Sequence, residues 1–376
     1  RFDPEFFPDP QAMVDELKSM GIELMVSVWP QISLESENYQ EMRQQGLLVK
    51  SELGEQIGMR FGGDSMFYDV TNPRAREYVW DKCKKNYCDL GIRIFWLDEA
   101  EPEYGTYDFE NYRYSMGSNL QIGNIYPQLY SRNFYEGMRA SGQENPVNLV
   151  RCAWAGSQRY GALVWSGDIH SDWETFRKQV CAGLSMGIAG IPWWTTDIGG
   201  FHGGYPEDEG FRELLIRWFQ WGAFCPVMRI HGDRQPGHKL YRRDGREALF
   251  TGTDNEVWSY GETAYPILVK YMRLREEMRS YTRRLMTEAH EKGKPLMRAM
   301  FYEFPLDEKC WQIQDQYMFG DTCLVAPVMY AGIRERDVYL PHGAQWKNIE
   351  TGAIFEGGQV ITAQAPLDTM PVFERV

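Results

Sequence analysis

Along the first 235 residues, short apolar runs alternate with longer amphipathic stretches. Leu24-Met25-Val26-Ser27-Val28-Trp29-Pro30 reads as a strand closed by proline, and it follows a helical stretch from Asp9-Pro10 to Met20 that stops at Gly21. A helix is expected from Pro73 to Leu90, with Asn72 as its cap, proline at its first position and Gly91 as its stop. The run Ile92-Arg93-Ile94-Phe95-Trp96-Leu97-Asp98 is too apolar and too sharply bounded for a surface segment, and reads as a strand. The same rhythm predicts helices over 126–140, 172–186 and 211–224, and strands over 148–151, 161–165, 188–194 and 226–231.

Strands alternating with helices imply a parallel sheet, so the fold class is α/β, a (β/α)8 TIM-type barrel. About six strands are visible against the eight of a closed barrel, and the barrel is expected to be truncated at its start. A long charged helix is predicted over 264–292. Beyond it, 311–376 carries short alternating runs such as Cys323-Leu324-Val325-Ala326-Pro327-Val328, broken by Gly and Pro at hairpin-like spacing. That pattern predicts a small all-β sandwich, and the expected domains are 1–293 for the catalytic barrel and 294–376 for the sandwich.

Composition narrows the function classes. Hydrophobic residues at 43% and charged residues at 25% are those of a globular protein, which excludes a disordered, collagenous or disulfide-scaffold chain. No apolar run reaches a membrane-spanning length, and Arg1-Phe2-Asp3-Pro4 lacks the pattern of a signal peptide, so no membrane is expected and the compartment is left as cytoplasmic or periplasmic. Against 40 Lys and Arg stand 53 Asp and Glu, a net charge of −13 that repels polyanions and argues against nucleic acid. Seven cysteines form an odd, sparse set and read as reduced thiols. The 13 Trp, 22 Tyr and 19 Phe suit sugar faces and aromatic cores equally well.

In a barrel of this kind chemistry sits just past the carboxyl ends of the strands. Asp98 closes Ile94-Phe95-Trp96-Leu97, Asp168 closes Leu163-Val164-Trp165-Ser166-Gly167, and Asp197 follows Trp193-Trp194-Thr195-Thr196. Glycosidic cleavage needs two carboxyls flanking one bond, and Asp98 and Asp168, two strand–helix units apart, are the candidates. Arg151 and His231, also at strand ends, offer donors for sugar hydroxyls or for the carboxylates. A metal alternative arises from Asp168, His170 and Asp172, with His202 and His231 elsewhere. However, Asp172-Trp173-Glu174 reads as a helix cap, so no metal is expected. With no Gly-rich phosphate loop after the first strand, no cofactor is expected. In the acidic run 98–103, Glu99 and Glu103 read as a solvated loop, and Trp193-Trp194 suits packing as well as a sugar subsite.

Trp96-Leu97-Asp98-Glu99-Ala100-Glu101-Pro102, Val164-Trp165-Ser166-Gly167-Asp168, Asp197-Ile198-Gly199-Gly200-Phe201 and Arg229-Ile230-His231-Gly232 resemble, in order and spacing, the signature segments of glycoside hydrolase family 31. Pro295-Leu296-Met297-Arg298, Gln316-Tyr317-Met318-Phe319-Gly320-Asp321 and Val338-Tyr339-Leu340-Pro341 resemble that family's proximal β-sandwich. The resemblance implies a retaining α-glycosidase with Asp98 at the nucleophile position and Asp168 at the acid/base position. It implies sugar contacts from Arg151, Trp165, Asp197, Phe201 and His231. The acidic segment is Asp-Glu-Ala-Glu where many α-glucosidases have Asp-Met-Asn-Glu, and Trp29 precedes Pro30 where many of them carry Asp. Both features resemble the α-xylosidase branch, in which Trp29 would fill the space that the CH2OH of glucose needs. Family members carry an N-terminal β-sandwich and two further barrel strands, so the chain resembles a fragment. The expected partner is therefore an oligosaccharide or small glycoside, with a homo-oligomer left open. An α-glucosidase and a non-catalytic carbohydrate-binding remnant are the alternatives.

Overall fold

In the computed structural model, residues 1–54, 64–101 and 109–376 are described, together with the backbone of 59–60. Helices begin where short polar side chains can satisfy the first orphan N–H groups. Asp9 accepts from the Ala12 N–H ahead of Pro10–Ser19, and Asn72 from Arg74 ahead of Pro73–Asn86. Asp172 accepts from Thr175 ahead of Trp173–Ile188, and Asp208 from Phe211 ahead of Glu209–Gly222. The helix Tyr126–Ala140 has the predicted bounds. Gly91, at φ 98, closes the short turn Cys88–Leu90 in the left-handed conformation that glycine adopts without a Cβ penalty.

The described residues group into two compact units, Arg1–Trp165 and Ser166–Val376. The first holds four parallel strands, Met25–Val28, Ile94–Leu97, Asn148–Val150 and Ala162–Trp165, paired in that order. Alternation along Ile94–Leu97 sends Phe95 outward against Trp80 and Phe134 of two helices, and Trp96 the other way, edge-on to Trp165 at 5.5 Å. The sheet thus has an aromatic layer on each face. Short antiparallel pieces, Gln31–Ser33 with Asp64–Phe67 and Lys50–Ser51 with Tyr112–Tyr114, lie between the parallel strands in sequence.

The second unit holds the later strand–helix segments and the β-sandwich. A six-stranded sheet runs in the order Met297–Ala299, Tyr317–Phe319, Cys323–Val325, Val372–Arg375, Gln345–Asn348, Ile354–Glu356, accompanied by the pair Glu335–Leu340 and Gln359–Gln364. Met318, Leu324, Val338, Leu340, Trp346 and Phe373 are fully buried at its centre. All seven cysteines are free thiols. No helix among the described residues is long and apolar enough to cross a membrane.

Three expected elements differ. The strand expected over 188–194 shrinks to Trp194–Thr195, because the preceding helix runs on to Ile188 and turns at Gly190, φ 81. The run 226–231 is not a strand: it makes two sheet-like bonds, Val227 N–H to Trp194 O and Ile198 N–H to Arg229 O, while Arg275 takes the carbonyl of Pro226 and those of Ala223 and Cys225 just before the run. The helix expected over 264–292 is two helices, Gly261–Glu277 and Arg279–Lys292, meeting at Met278. Neither glycine nor proline marks that joint. A hairpin, Arg234–Tyr241 with Glu247–Thr253, lies outside the expected elements.

Candidate active site

In the first unit the register sets the site. Val28 is level with Leu97, Leu97 with Val150, and Val150 with Val164. The next residues along these strands, Trp29, Asp98, Arg151 and Trp165, therefore share one carboxyl-terminal edge. The Asp98 N–H bonds Val28 O at 3.2 Å and the Arg151 N–H bonds Leu97 O at 3.3 Å, which carries the sheet pairing into these loops. Tyr130 also donates to Val28 O, at 2.8 Å. Trp165 is buried, whereas Trp29 is 42% exposed.

Arg151 turns its guanidinium to the acidic segment. Nη1 lies 3.5 Å from Asp98 Oδ1 and 2.9 Å from Glu99 Oε1, and Nε lies 2.6 Å from Glu101 Oε1. Of the two roles open to Arg151, sugar donor or carboxylate partner, the second is seen directly in these ion pairs. Glu99 corrects the sequence reading: it is 2% exposed, not a solvated loop residue, since Arg151 compensates its charge inside the fold. Its backbone has φ 53, and its N–H donates to Asp98 Oδ1 at 2.9 Å. Glu103 lies outside the described residues. Cys152, next to this cluster, has its thiol pushed well up by burial first and then by the charge of Glu101.

In the second unit three loops are laced together. Asp168 follows Gly167, φ 75, and the carbonyl of the next residue, Ile169, accepts the N–H groups of both Phe201 and His202. Gly200, φ 82, approaches so closely that a Cβ there would sit 2.6 Å from His170 O. Asp197 is completely buried and ion-paired with Arg229. Phe201 stacks on His231 at 5.4 Å and 22°. Burial, and then the charges of Arg229 and Arg234, pull the His231 imidazole down to about 3, so the ring is neutral at working pH and can offer one donor and one acceptor. Asp172 is engaged in its helix cap, and His170 lies against His202 at 5.7 Å.

Two further residues of this second cluster were not among the candidate site residues of the sequence. Arg234, fully buried, donates to the carbonyls of Ile198, Gly200 and Gly203 and to the Ser171 hydroxyl, and so ties the loops that present Asp168, Phe201 and His231. Arg229 is the partner that makes a buried Asp197 tolerable. An arginine in a polar loop reads as solvated, and only a buried carboxylate expected nearby would have pointed to either. The aromatic abundance divides likewise. Trp165, Trp218, Trp221 and Trp346 are fully buried core, Trp194 packs on Trp221, and Trp29 remains at the surface of the strand-end edge.

Comparison with known proteins adds the family. Residues 1–284 match the Glycosyl hydrolases family 31 TIM-barrel domain, and residues 293–376 match the Glycosyl hydrolase family 31 C-terminal domain. An uncharacterized family 31 glucosidase, ORF2, of Pseudescherichia vulneris is 60% identical over 235 residues, 62% of this chain and 44% of its own length. An α-xylosidase of Saccharolobus solfataricus is 35% identical over 380 residues, 100% of this chain and 48% of its own. The crystal structure of a family 31 α-xylosidase from a soil metagenome, complexed with xylose, superposes with a TM-score of 0.96 at 58% identity, covering 100% of this chain and 56% of that one. The chain thus spans about half the length of the relatives it matches.

Proposed function

The chain belongs to glycosyl hydrolase family 31, and we propose that the protein is a retaining α-glycosidase that removes α-linked xylose from oligosaccharides or small glycosides. The observation that carries this reading is the Asp98 corner, a carboxylate at a strand end with one oxygen held by a backbone N–H and a guanidinium. A carboxylate oriented in this way suits attack on an anomeric carbon. Asp98 attacks and forms a glycosyl ester, and Asp168 protonates the leaving oxygen. Asp168 then takes a proton from the water that opens the ester, which gives two inversions and net retention. In this reading Arg151, Trp165, Asp197, Phe201 and neutral His231 contribute to sugar binding. Trp29 occupies the volume beyond C5 of the glycone, which favours xylose over glucose. In this reading the chain divides into a catalytic barrel, 1–293, and a sandwich, 294–376, a division that the end of the charged helix at Gly293, φ 66, supports.

The name of the Pseudescherichia vulneris relative favours a second reading, an α-glucosidase of the same family. Hydrolysis of paired aryl α-xyloside and α-glucoside substrates, with the first-formed anomer followed by NMR, distinguishes the two. The expected result is α-xylose as first product and a higher kcat/KM for the xyloside. A preference for the glucoside moves the protein to the second reading, and β-xylose as first product overturns double displacement.

A further inference from the structure

We infer that Glu99 is a positioning residue for the nucleophile, acting through Arg151 and through its own backbone; this rests on the reading of Asp98 as nucleophile. Three observations meet at this residue. It is the one non-glycine residue at positive φ among the described residues, and the left-handed conformation costs an L-residue roughly 1–2 kcal/mol. Its carboxylate is buried at 2% exposure, which is unfavourable for a charge unless it is paired. Both costs are met at one point, where Glu99 Oε1 takes Arg151 Nη1 at 2.9 Å and the Glu99 N–H reaches Asp98 Oδ1 at 2.9 Å.

A turn alone would not require this side chain. Glycine would adopt φ 53 without strain, and asparagine would tolerate it. What glutamate adds is the tether. Arg151 Nη1 lies between Glu99 Oε1 and Asp98 Oδ1, so the Glu99 carboxylate decides where that nitrogen stands relative to the Asp98 oxygen. The left-handed turn decides where the Glu99 N–H stands. Both donors converge on the same Oδ1, so one residue sets the orientation of the carboxylate plane from two directions. Glu101 holds the opposite side of the guanidinium, at Nε, and completes the clamp. The Glu99 carboxylate is a positioning group, reaching Asp98 through Arg151, while the Glu99 N–H orients Asp98 Oδ1 directly.

The test compares Glu99→Gly and Glu99→Gln with the wild-type protein on an aryl α-xyloside, reading kcat, KM and melting temperature. Glu99→Gly keeps the turn and removes the tether; a fall in kcat of about 10²-fold is expected, the cost of a misplaced reacting group, with KM changed by less than about threefold. Glu99→Gln keeps an acceptor for Arg151 and is expected to recover about a tenth of wild-type kcat. Wild-type kcat in Glu99→Gly overturns the inference, as does a loss in both variants that follows melting temperature alone. If the wild-type protein hydrolyses neither xylosides nor glucosides, the functional reading fails first, and this inference with it.

Discussion

Two arginines organise different regions of this molecule, Arg217 fully buried and Arg151 partly so, and they do opposite things. Arg217, on the helix Glu209–Gly222, donates to the carbonyls of Ile333, Ala365, Pro366 and Thr369, with Gln220 adding Leu367. All of these acceptors are neutral, and burial pulls the guanidinium down to about 10, still cationic at neutral pH. Arg151 addresses carboxylates, those of Asp98, Glu99 and Glu101. One cation on neutral carbonyls makes a fixed seam between helix and sandwich. One cation shared by three anions leaves an excess of negative charge, which suits a nucleophile and would serve a seam poorly. Stability is therefore concentrated at the Arg217 seam, and chemistry at the Arg151 corner.

Exchanging each arginine for methionine breaks the comparison most sharply. Arg217→Met strands several buried carbonyls and is expected to lower unfolding free energy by about 3–5 kcal/mol in urea titration, with kcat of the remaining folded protein unchanged. Arg151→Met is expected to cost about 10²–10³-fold in kcat on an aryl α-xyloside, the scale for losing one preorganised donor, and also some stability, because it leaves the buried Glu99 carboxylate unpaired. If Arg217→Met lowers the kcat of the folded protein as far as Arg151→Met does, the two arginines do not differ in kind.

A smaller effect is expected at the edge of the corner. Trp29 is 42% exposed, so Trp29→Ala creates no large cavity and should leave melting temperature almost unchanged. The ratio of kcat/KM for α-glucoside over α-xyloside should rise by up to about 10–200-fold, the range one apolar group can supply. A fallen melting temperature with an unchanged ratio makes Trp29 a packing residue.

The smallest effect concerns pH. His231 has its folded value at about 3, below the ordinary value of 6.5, because burial and then Arg229 and Arg234 disfavour the cation. Between those values the unfolded chain binds the extra proton, so this group's contribution to stability is complete above pH 6.5 and is lost as pH falls towards 3. Melting temperature should therefore drop less between pH 7 and 5 in His231→Gln than in the wild-type protein. The imidazole C–H resonances of His231 should stay constant from pH 8 to 5; a titration near 6.5 contradicts the burial argument.

How much of this was legible follows from where the physics is local. Caps at Asp9, Asn72 and Asp172 need only a side chain and an N–H two or three residues away, and those helices start where expected. The strands carrying Asp98 and Arg151 were plain from apolar runs bounded by polar residues. The run 226–231 was not, because Arg275, far along the chain, takes the carbonyls at its start, those of Ala223, Cys225 and Pro226. Glu99 was misread because acidic residues in a row look solvated until an arginine fifty positions away is folded against them. Arg217 was missed for the same reason, as its acceptors lie in the sandwich.

The account rests on Asp98 as the attacking carboxylate, and trapping tests it most directly. The protein is incubated with a fluorinated xylosyl fluoride that forms the ester rapidly and releases it slowly, then digested and sequenced by mass spectrometry. The expected result is one fluoroxylosyl group, carried by the peptide containing 94–101 and located on Asp98. A label on any other carboxylate, or no label on a protein that turns over α-xylosides with retention, contradicts it.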